Sequence, residues 1–175
     1  LASSAASDVY KRQVTHKVIN TNAEEMYFSI GAHPAFNCNL GDTLTFEYDE
    51  TLYSERIDRD SVITGDKDLI LQNSNIIEIT EHLFDKDALI FPNVKSNYVI
   101  LNEKKAGKHI RFTFGDSPFL AIWAKPAAPF VCIEPWYGVN DSYEKATDFS
   151  KKRGIQKLSS GKKFEFSWSA EFKED

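Results

Sequence analysis

The sequence lacks the features of nucleic-acid-binding and membrane-spanning proteins. Basic residues are outnumbered, with 21 Lys and Arg against 26 Asp and Glu and a formal net charge of −5 at pH 7, so there is no basic stripe for a phosphate backbone. No apolar run approaches the roughly 18 residues of a membrane-spanning helix, and no signal-peptide pattern is present. These absences predict that neither nucleic acid nor a membrane is a partner.

Cysteine and the common catalytic motifs are also scarce. The two cysteines, Cys38 and Cys132, could pair, but each stands in an apolar or turn context, so we expect two free thiols in a cytoplasmic protein. Four histidines without HxH or HxxxH spacing, and no CxxC pair, predict no metal site. There is no Gly-rich phosphate loop and no GxSxG elbow. The motifs therefore predict no cofactor.

The sequence is rich instead in short runs of β-branched and aromatic residues. In KFEFSWSAEF, for example, the aromatic residues and Ala170 share one face, while Glu and Ser share the other. Alternation of this kind, with turn signals such as NLGD and SSGK between the runs, is typical of antiparallel sheets. The pattern predicts one all-β domain, a sandwich or open barrel of about ten strands. The segments SERIDRD (54–60) and EKKAGK (103–108) are interpreted as solvated loops, and His16, His82 and His109 receive no role.

The first thirteen residues do not share this pattern. LASSAASDVYKRQ is small, polar and aperiodic, lacks an initiator Met, and resembles translated sequencing-adaptor sequence. We therefore expect residues 1–13 to be a non-native or disordered tail that makes few contacts with the sheet. Residues 14–175 are expected to form the domain. If the chain derives from a broken gene, part of that domain is missing on the N-terminal side.

A histidine with fixed backbone geometry follows one of the predicted strands, in the stretch SIGAHPAFN. Pro34 has no N–H and favours an extended backbone at His33, and Gly31 permits backbone angles that other residues resist. Such a turn directs the imidazole of His33 one way. A plain turn histidine remains the alternative until a partner is found.

A carboxylate ends the apolar run FVCI. Glu134 is costly to bury there unless it is paired, hydrogen-bonded by turn N–H groups or functional. Trp136 and Tyr137 follow it, and aromatic faces beside a carboxylate suit a sugar. Trp123 lines the same cavity or belongs to the core. Asp87 opens the run ALIFP, either as a functional carboxylate or as an ordinary residue at the start of a strand.

Together these motifs resemble the aldose 1-epimerase (galactose mutarotase) family, nearest its LacX-like bacterial branch. Two departures are Ala32, where the branch commonly has a second Gly, and Asn39, where it commonly has Pro. Family members are substantially longer, and the chain resembles their C-terminal part. The resemblance is carried by MYFSIGAHPAFN, DALIF, FLAIWAKPAAPFVCIEPWYGVNDS, DFSKKRGI and LSSGKKFEFSWSAEF.

The resemblance implies a large antiparallel β-sandwich, the galactose mutarotase-like supersandwich, incomplete at its N-terminal side and with a sugar site in a concave face. His33 falls on the family's general acid, Glu134 on its general base and Asp87 on its sugar-binding aspartate. The implied reaction interconverts the α and β anomers of a hexose. It needs one acid and one base, and neither a metal nor a cofactor.

The sequence leaves the sugar open between glucose, galactose and their 6-phosphates, and it leaves the oligomeric state open. A phosphate calls for Arg or Lys at the cleft, for which Lys125, Arg56 and Arg59 are candidates.

Three alternatives to a catalytic chain stay open. A non-catalytic carbohydrate-binding module would use Trp136 and Tyr137 as a stacking platform. A glycoside hydrolase would use two carboxylates, Asp87 and Glu134. A truncated chain would be inactive whatever its family does. Geometry separates the first two from an epimerase, which needs His33 and Glu134 to line one cavity with room for a hexose.

Overall fold

The computed structural model describes residues 2–7, 10–105, 107–144, 146 and 148–174. These residues form strands joined by turns, with one short 3-10 helix at Phe149–Lys151. No helix among the described residues has the length and apolar character needed to cross a bilayer. The strands are β1 (Ala2–Ser7), β2 (Lys11–Ile19), β3 (Met26–Phe28), β4 (Ile30–Gly31), β5 (Ala35–Asn37), β6 (Thr43–Ile57), β7 (Ile63–Glu78), β8 (Leu89–Pro92), β9 (Tyr98–Glu103), β10 (Lys108–Thr113), β11 (Phe119–Trp123), β12 (Phe130–Tyr137), β13 (Gln156–Leu158) and β14 (Lys163–Glu174).

Twelve of these strands form one curled antiparallel sheet. Its main path runs β1-β2-β14-β10-β9-β6-β8-β11-β12-β4, with β5 also paired to β12 and β7 to β6. β3 and β13 form a separate pair. The curl brings distant strands face to face, because Phe36 of β5 packs edge-on against Phe112 of β10 with ring centroids 5.6 Å apart. The prediction of an all-β, antiparallel sandwich is confirmed.

The strand β11 is apolar throughout because both of its faces are covered. Leu120 and Ile122 point into the main core between the curled halves of the sheet. Phe119 and Ala121 point to the other face, where they join a smaller apolar cluster with Ile90. Side chains alternate along a strand, so a run buried on both faces loses the apolar–polar alternation seen in β14. This second face of β11 and its neighbours carries the candidate site.

The expectation that residues 1–13 make few contacts with the sheet is wrong for the described residues. Ala2–Ser7 form β1, which pairs with β2 in a register from Ala2 opposite Lys17 to Ser7 opposite Arg12. β2 itself begins at Lys11, before the predicted start at Val14. Strand pairing is made by backbone N–H and C=O groups, which small polar residues supply without an alternating pattern. Whether this segment is foreign to the protein stays a prediction.

The segment predicted as a solvated loop at residues 54–60 is partly a strand. Ser54–Ile57 belong to β6, and both Ser54 and Glu55 are buried. The Ser54 hydroxyl accepts a hydrogen bond from the Ile90 N–H at 2.9 Å. The polar composition of this segment does not indicate a buried strand. The residues that pair with its buried polar side chains lie far away in the sequence.

Candidate active site

Glu134 projects from the second face of the sheet, from the middle of β12. Opposite residues in successive strands place Glu134, Ala121, Ile90 and Glu55 in one cross-strand row. The strand period puts Cys132 and Trp136 of the same strand on this face too. The carboxylate side chain is only 3% exposed. A buried carboxylate requires partners, and its partners define the site.

The turn that carries His33 is bound to β12 on both sides of Glu134. The Ala32 N–H donates to the Pro135 carbonyl at 3.1 Å, and the Ile133 N–H donates to the Pro34 carbonyl at 3.2 Å. His33 therefore sits over the strand at the level of the carboxylate. Its Nδ1 lies 2.5 Å from Glu134 Oε2, while the imidazole side chain is 62% exposed. The turn thus joins a solvent-accessible ring to a buried acid.

Trp136 provides the second partner of the carboxylate. Its indole Nε1 donates to Glu134 Oε2 at 3.2 Å. Burial raises the pKa of Glu134, and the contacts with His33 and Trp136 oppose that rise without cancelling it. Glu134 is therefore a stronger base than an ordinary exposed glutamate.

Gly31 is required by close packing rather than by an unusual backbone angle. A Cβ at this position would lie 2.7 Å from Cδ1 of Trp136 and 3.2 Å from the Pro135 carbonyl oxygen. Its φ is not among the positive values of the described residues, so the sequence-based reason for this glycine needs correction. The missing side chain lets β4 approach the indole that binds Glu134.

A thiol lies beneath the pair. Cys132 is buried and unpaired, as is Cys38. Burial, together with the nearby Glu134 charge, raises the pKa of the Cys132 thiol to about 11. Ligand atoms of His33, Cys132 and Glu134 all lie within 4.8 Å of one another.

A cleft of about 1160 Å³ opens beside the exposed side of His33. This volume exceeds the ~300–1,000 Å³ typical of small-molecule pockets. The cleft is lined by the His33 turn and by side chains of β2, β10 and β14, among them Arg12, His16, His109 and Trp168. Glu134 does not line it, so His33 stands between the buried carboxylate and the opening.

Comparison with known proteins agrees with this fold. The model of the aldose 1-epimerase family matches residues 8–166. The chain belongs to the aldose 1-epimerase family. It is 33% identical over 153 residues to the plasmid-encoded protein LacX of Lactococcus lactis subsp. lactis, in a match that covers 81% of this chain and 51% of LacX. The chain therefore spans about half the length of the curated relatives it matches.

Two solved structures resemble the fold of this family member closely. The X-ray structure of a galactose mutarotase related enzyme from Lactobacillus acidophilus superposes with a TM-score of 0.87 at 26% identity, covering 97% of this chain and 59% of that one. A galactose mutarotase-like protein from Lactobacillus casei ATCC 334 gives a TM-score of 0.86 at 27% identity, covering 97% and 61%. Both similarities extend over nearly the whole of this chain.

Of the predicted sugar-binding residues of this epimerase-family chain, two aromatics lie at the pair. Trp136 contacts Glu134 directly, and the Trp123 ring lies 6.2 Å from the His33 ring. Asp87 precedes β8 at the same end of the sheet as Trp123, since Leu89 pairs with Ile122. The Asp87 carboxylate is exposed and accepts a hydrogen bond from the Ala88 N–H at 2.7 Å.

The structure does not place Tyr137 beside the carboxylate. Tyr137 lies on the opposite face of β12 from Glu134, packs against Phe164 and Phe166 with centroids 5.1 and 4.9 Å away, and donates its hydroxyl to Asp116 at 2.8 Å. Burial raises its pKa strongly. The prediction that both aromatics after Glu134 stand beside it is wrong, because neighbouring residues in a strand point to opposite faces.

Two of the predicted phosphate-binding cations, Arg56 and Arg59, lie beside aspartates. Arg56 is bound to Asp68 through two hydrogen bonds. Arg59 is 93% exposed and lies 3.9 Å from Asp60. Lys125 is exposed in the turn closed by the hydrogen bond from the Ala128 N–H.

Sequence reasoning missed His16 as a residue of the cleft. Its ring stacks on Phe166 with centroids 4.7 Å apart, and burial lowers its pKa. The buried Nε2 of His16 and Nε1 of Trp168 have no hydrogen-bond partner in the part of the chain that the structure describes. The alternation of VTHKVIN, which puts His16 on the face of Val14 and Val18, was a signal that could have revealed it.

Proposed function

We propose that this chain carries the acid–base pair of an aldose 1-epimerase that interconverts the α and β anomers of a hexose. The observation that supports this most strongly is the 2.5 Å contact between His33 Nδ1 and Glu134 Oε2, which joins residues 101 positions apart in the sequence. They are the two residues that the family resemblance assigns to acid and base.

Each member of the pair suits a different proton transfer. Glu134 removes the proton from the anomeric hydroxyl while His33 donates a proton to the ring oxygen. The C1–O5 bond breaks, and the open-chain aldehyde rotates about the C1–C2 bond. Closure on the other face of the carbonyl reverses both transfers, so each residue recovers its starting protonation state. The raised pKa of Glu134 strengthens it as a base, and general acid and base catalysis each contribute about 10²–10⁴-fold.

The direct contact means that the free protein does not hold a gap for the sugar between acid and base. Glu134 is fixed by burial within β12, whereas the His33 ring is largely exposed and borders the cleft. We therefore place the adjustment on His33, whose ring turns away from Glu134 when the sugar enters. The anomeric hydroxyl then replaces Nδ1 at the carboxylate.

The two tryptophans provide the apolar surface of the proposed sugar site. Trp123 and Trp136 are half-buried, and both stand beside the pair. Aromatic faces pack against the C–H faces of sugars. A second role for Trp136 is to orient Oε2 of Glu134 through its indole N–H.

Polarimetry of freshly dissolved α-D-glucose and α-D-galactose tests the proposal. We expect mutarotation that rises in proportion to protein concentration and saturates with sugar. The assay is run on this chain and on a chain extended on the N-terminal side to the length of the curated relatives. Sugar binding without acceleration of mutarotation in either chain would favour a carbohydrate-binding module and contradict the enzyme.

A further inference from the structure

We propose that His33, Cys132 and Glu134 form a binding site for Zn²⁺ and chemically similar divalent cations. One nitrogen, one sulfur and one oxygen atom lie within 4.8 Å of one another. These are the three donor types that proteins use for zinc. The donors come from two distant segments of the chain, so no short sequence motif indicates the site.

The backbone already holds the three donors on one side of the sheet. Cys132 and Glu134 are two residues apart on β12 and point to the same face. Cys132 pairs across the strands with Trp123 and with Ala35, and the turn leading to Ala35 carries His33 over the thiol. The sheet fixes two ligands, and the turn supplies the third from above.

Small movements convert this arrangement into a metal site. Zn–S distances of about 2.3 Å and Zn–N or Zn–O distances of about 2.0–2.1 Å put tetrahedral ligand atoms about 3.3–3.6 Å apart. Since the three donors lie within 4.8 Å of one another, the thiol needs to approach the other two by at most about 1.5 Å. Nδ1 must move about 1 Å from its 2.5 Å contact with the carboxylate. His33 is the exposed member and can make this adjustment, and water from the cleft side completes the fourth position.

Charge balance favours a divalent cation at this buried position. The Cys132 thiolate and the Glu134 carboxylate neutralise two positive charges, and His33 binds as the neutral imidazole. A neutral group is far less costly to bury than an isolated ion. Metal binding releases the thiol proton to water, since a thiol bound to zinc is deprotonated. Mg²⁺ prefers oxygen ligands and gains little from sulfur.

The Trp136 indole supports the same site from outside the donor set. Its N–H bond to Oε2 of Glu134 orients the carboxylate, as outer partners commonly do for metal ligands. A cation held here occupies both members of the acid–base pair and stops mutarotation. This inhibition rests on the proposed function, whereas cation binding does not.

Absorption spectroscopy with Co²⁺ as a replacement for Zn²⁺ tests the site directly. Sulfur-to-cobalt charge transfer reports a cobalt–thiolate bond, and the chain has two cysteines, so each is assignable. We expect a saturable band in the unmodified chain and in Cys38→Ser, which removes the other buried thiol. We expect no band in Cys132→Ser. In His33→Gln the affinity for Co²⁺ should fall at least tenfold. Zn²⁺ displaces the cobalt, and Mg²⁺ does not.

A thermal unfolding series accompanies the titration. Zn²⁺ is expected to raise the melting temperature of the unmodified chain and of Cys38→Ser but not of Cys132→Ser, because only a folded-state site stabilises by mass action. A missing band, or a band that survives Cys132→Ser, overturns the metal site regardless of activity. Saturation by Zn²⁺ that leaves mutarotation unchanged supports the site and contradicts the catalytic pair.

Discussion

Glu55 and Glu134 occupy the same cross-strand row of the sheet, and both carboxylates are buried, yet their partners differ. Glu55 is 5% exposed and accepts a 2.5 Å hydrogen bond from Arg153, with Lys67 3.8 Å away. Glu134 is 3% exposed and contacts an imidazole and an indole. Two buried glutamates in one row of the sheet therefore have partners of different chemistry, a guanidinium for one and an imidazole for the other.

The partner determines what each carboxylate can do. A guanidinium stays protonated at any pH at which proteins fold, so Arg153 pairs with Glu55 but does not exchange protons with it. An imidazole is the side-chain type that most often serves in proton transfer, which is why we propose that His33 and Glu134 pass protons to and from a bound molecule. The comparison separates a structural ion pair from a pair that we propose to be reactive.

The largest expected effect is on catalysis at His33. His33→Gln removes the proposed proton donor and should lower kcat/KM for mutarotation by about 10²–10⁴-fold. The melting temperature should change little, because the ring is largely exposed and the amide N–H of Gln can donate to the Glu134 carboxylate in its place. The matched control is His82→Gln, which removes an exposed histidine that contacts Asp85. Equal activity in the two variants would remove His33 from the mechanism.

Next in size is the stability effect at the structural ion pair. Arg153→Ala leaves the buried Glu55 carboxylate with Lys67 at 3.8 Å as its remaining ion-pair partner among the described residues. The change should lower the free energy of unfolding by about 1–3 kcal/mol. This figure is below the 3–5 kcal/mol of fully buried pairs, because Arg153 is 49% exposed. Urea unfolding measures the loss, and Arg59→Ala, at a fully solvated arginine, is the control.

A stability loss no larger than that of Arg59→Ala would show that Glu55 does not depend on Arg153. A large loss of kcat/KM in Arg153→Ala at full stability would break the distinction between the two glutamates. Urea unfolding and kinetics of Arg153→Ala together therefore test whether the Glu55 pair is structural.

Adjacent aromatics on β12 sharpen the comparison further. Trp136→Phe removes the indole N–H that binds Glu134 and should slow mutarotation about tenfold, as expected for one hydrogen bond to a charged group. Tyr137→Phe removes the hydroxyl that donates to Asp116 and should lower stability while leaving kcat/KM unchanged. Steady-state kinetics and urea unfolding of both variants check this prediction. A loss of kcat/KM in Tyr137→Phe without one in Trp136→Phe would contradict it.

The sequence predicted the fold class, and it also singled out His33 and Glu134, which the structure brings into contact. An apolar run that ends in a glutamate marked Glu134, and a turn constrained by Pro34 marked His33. The sequence position of Tyr137 beside Trp136 suggested a place near Glu134, but β12 continues past Pro135, and its alternation puts Tyr137 on the opposite face. Glu55 was missed because the cation that makes its burial tolerable lies 98 residues away. Local patterns identify single residues, whereas pairings across the sheet depend on topology.

The smallest expected effect concerns acid stability at an exposed ion pair. Hydrogen bonds from Arg56, aided by Lys86, lower the pKa of Asp68 to about 2. A folded-state pKa below the unfolded value stabilises the fold above the unfolded pKa, near 4, and this contribution is lost as the pH falls toward 2. Asp68→Asn should therefore flatten the stability curve between pH 4 and pH 2. An unchanged curve would show that the pair contributes nothing measurable.

The measurement that tests the central claim most directly compares Glu134→Gln with Glu55→Gln in one polarimetric assay. Both changes keep side-chain volume and remove a buried carboxylate from the same row of the sheet. We expect Glu134→Gln to lose about 10²–10⁴-fold in kcat/KM with its fold intact by circular dichroism. Glu55→Gln should lose stability but keep activity within a few-fold of the unmodified chain. Activity within a few-fold of the unmodified chain in Glu134→Gln would contradict the assignment of Glu134 as the base.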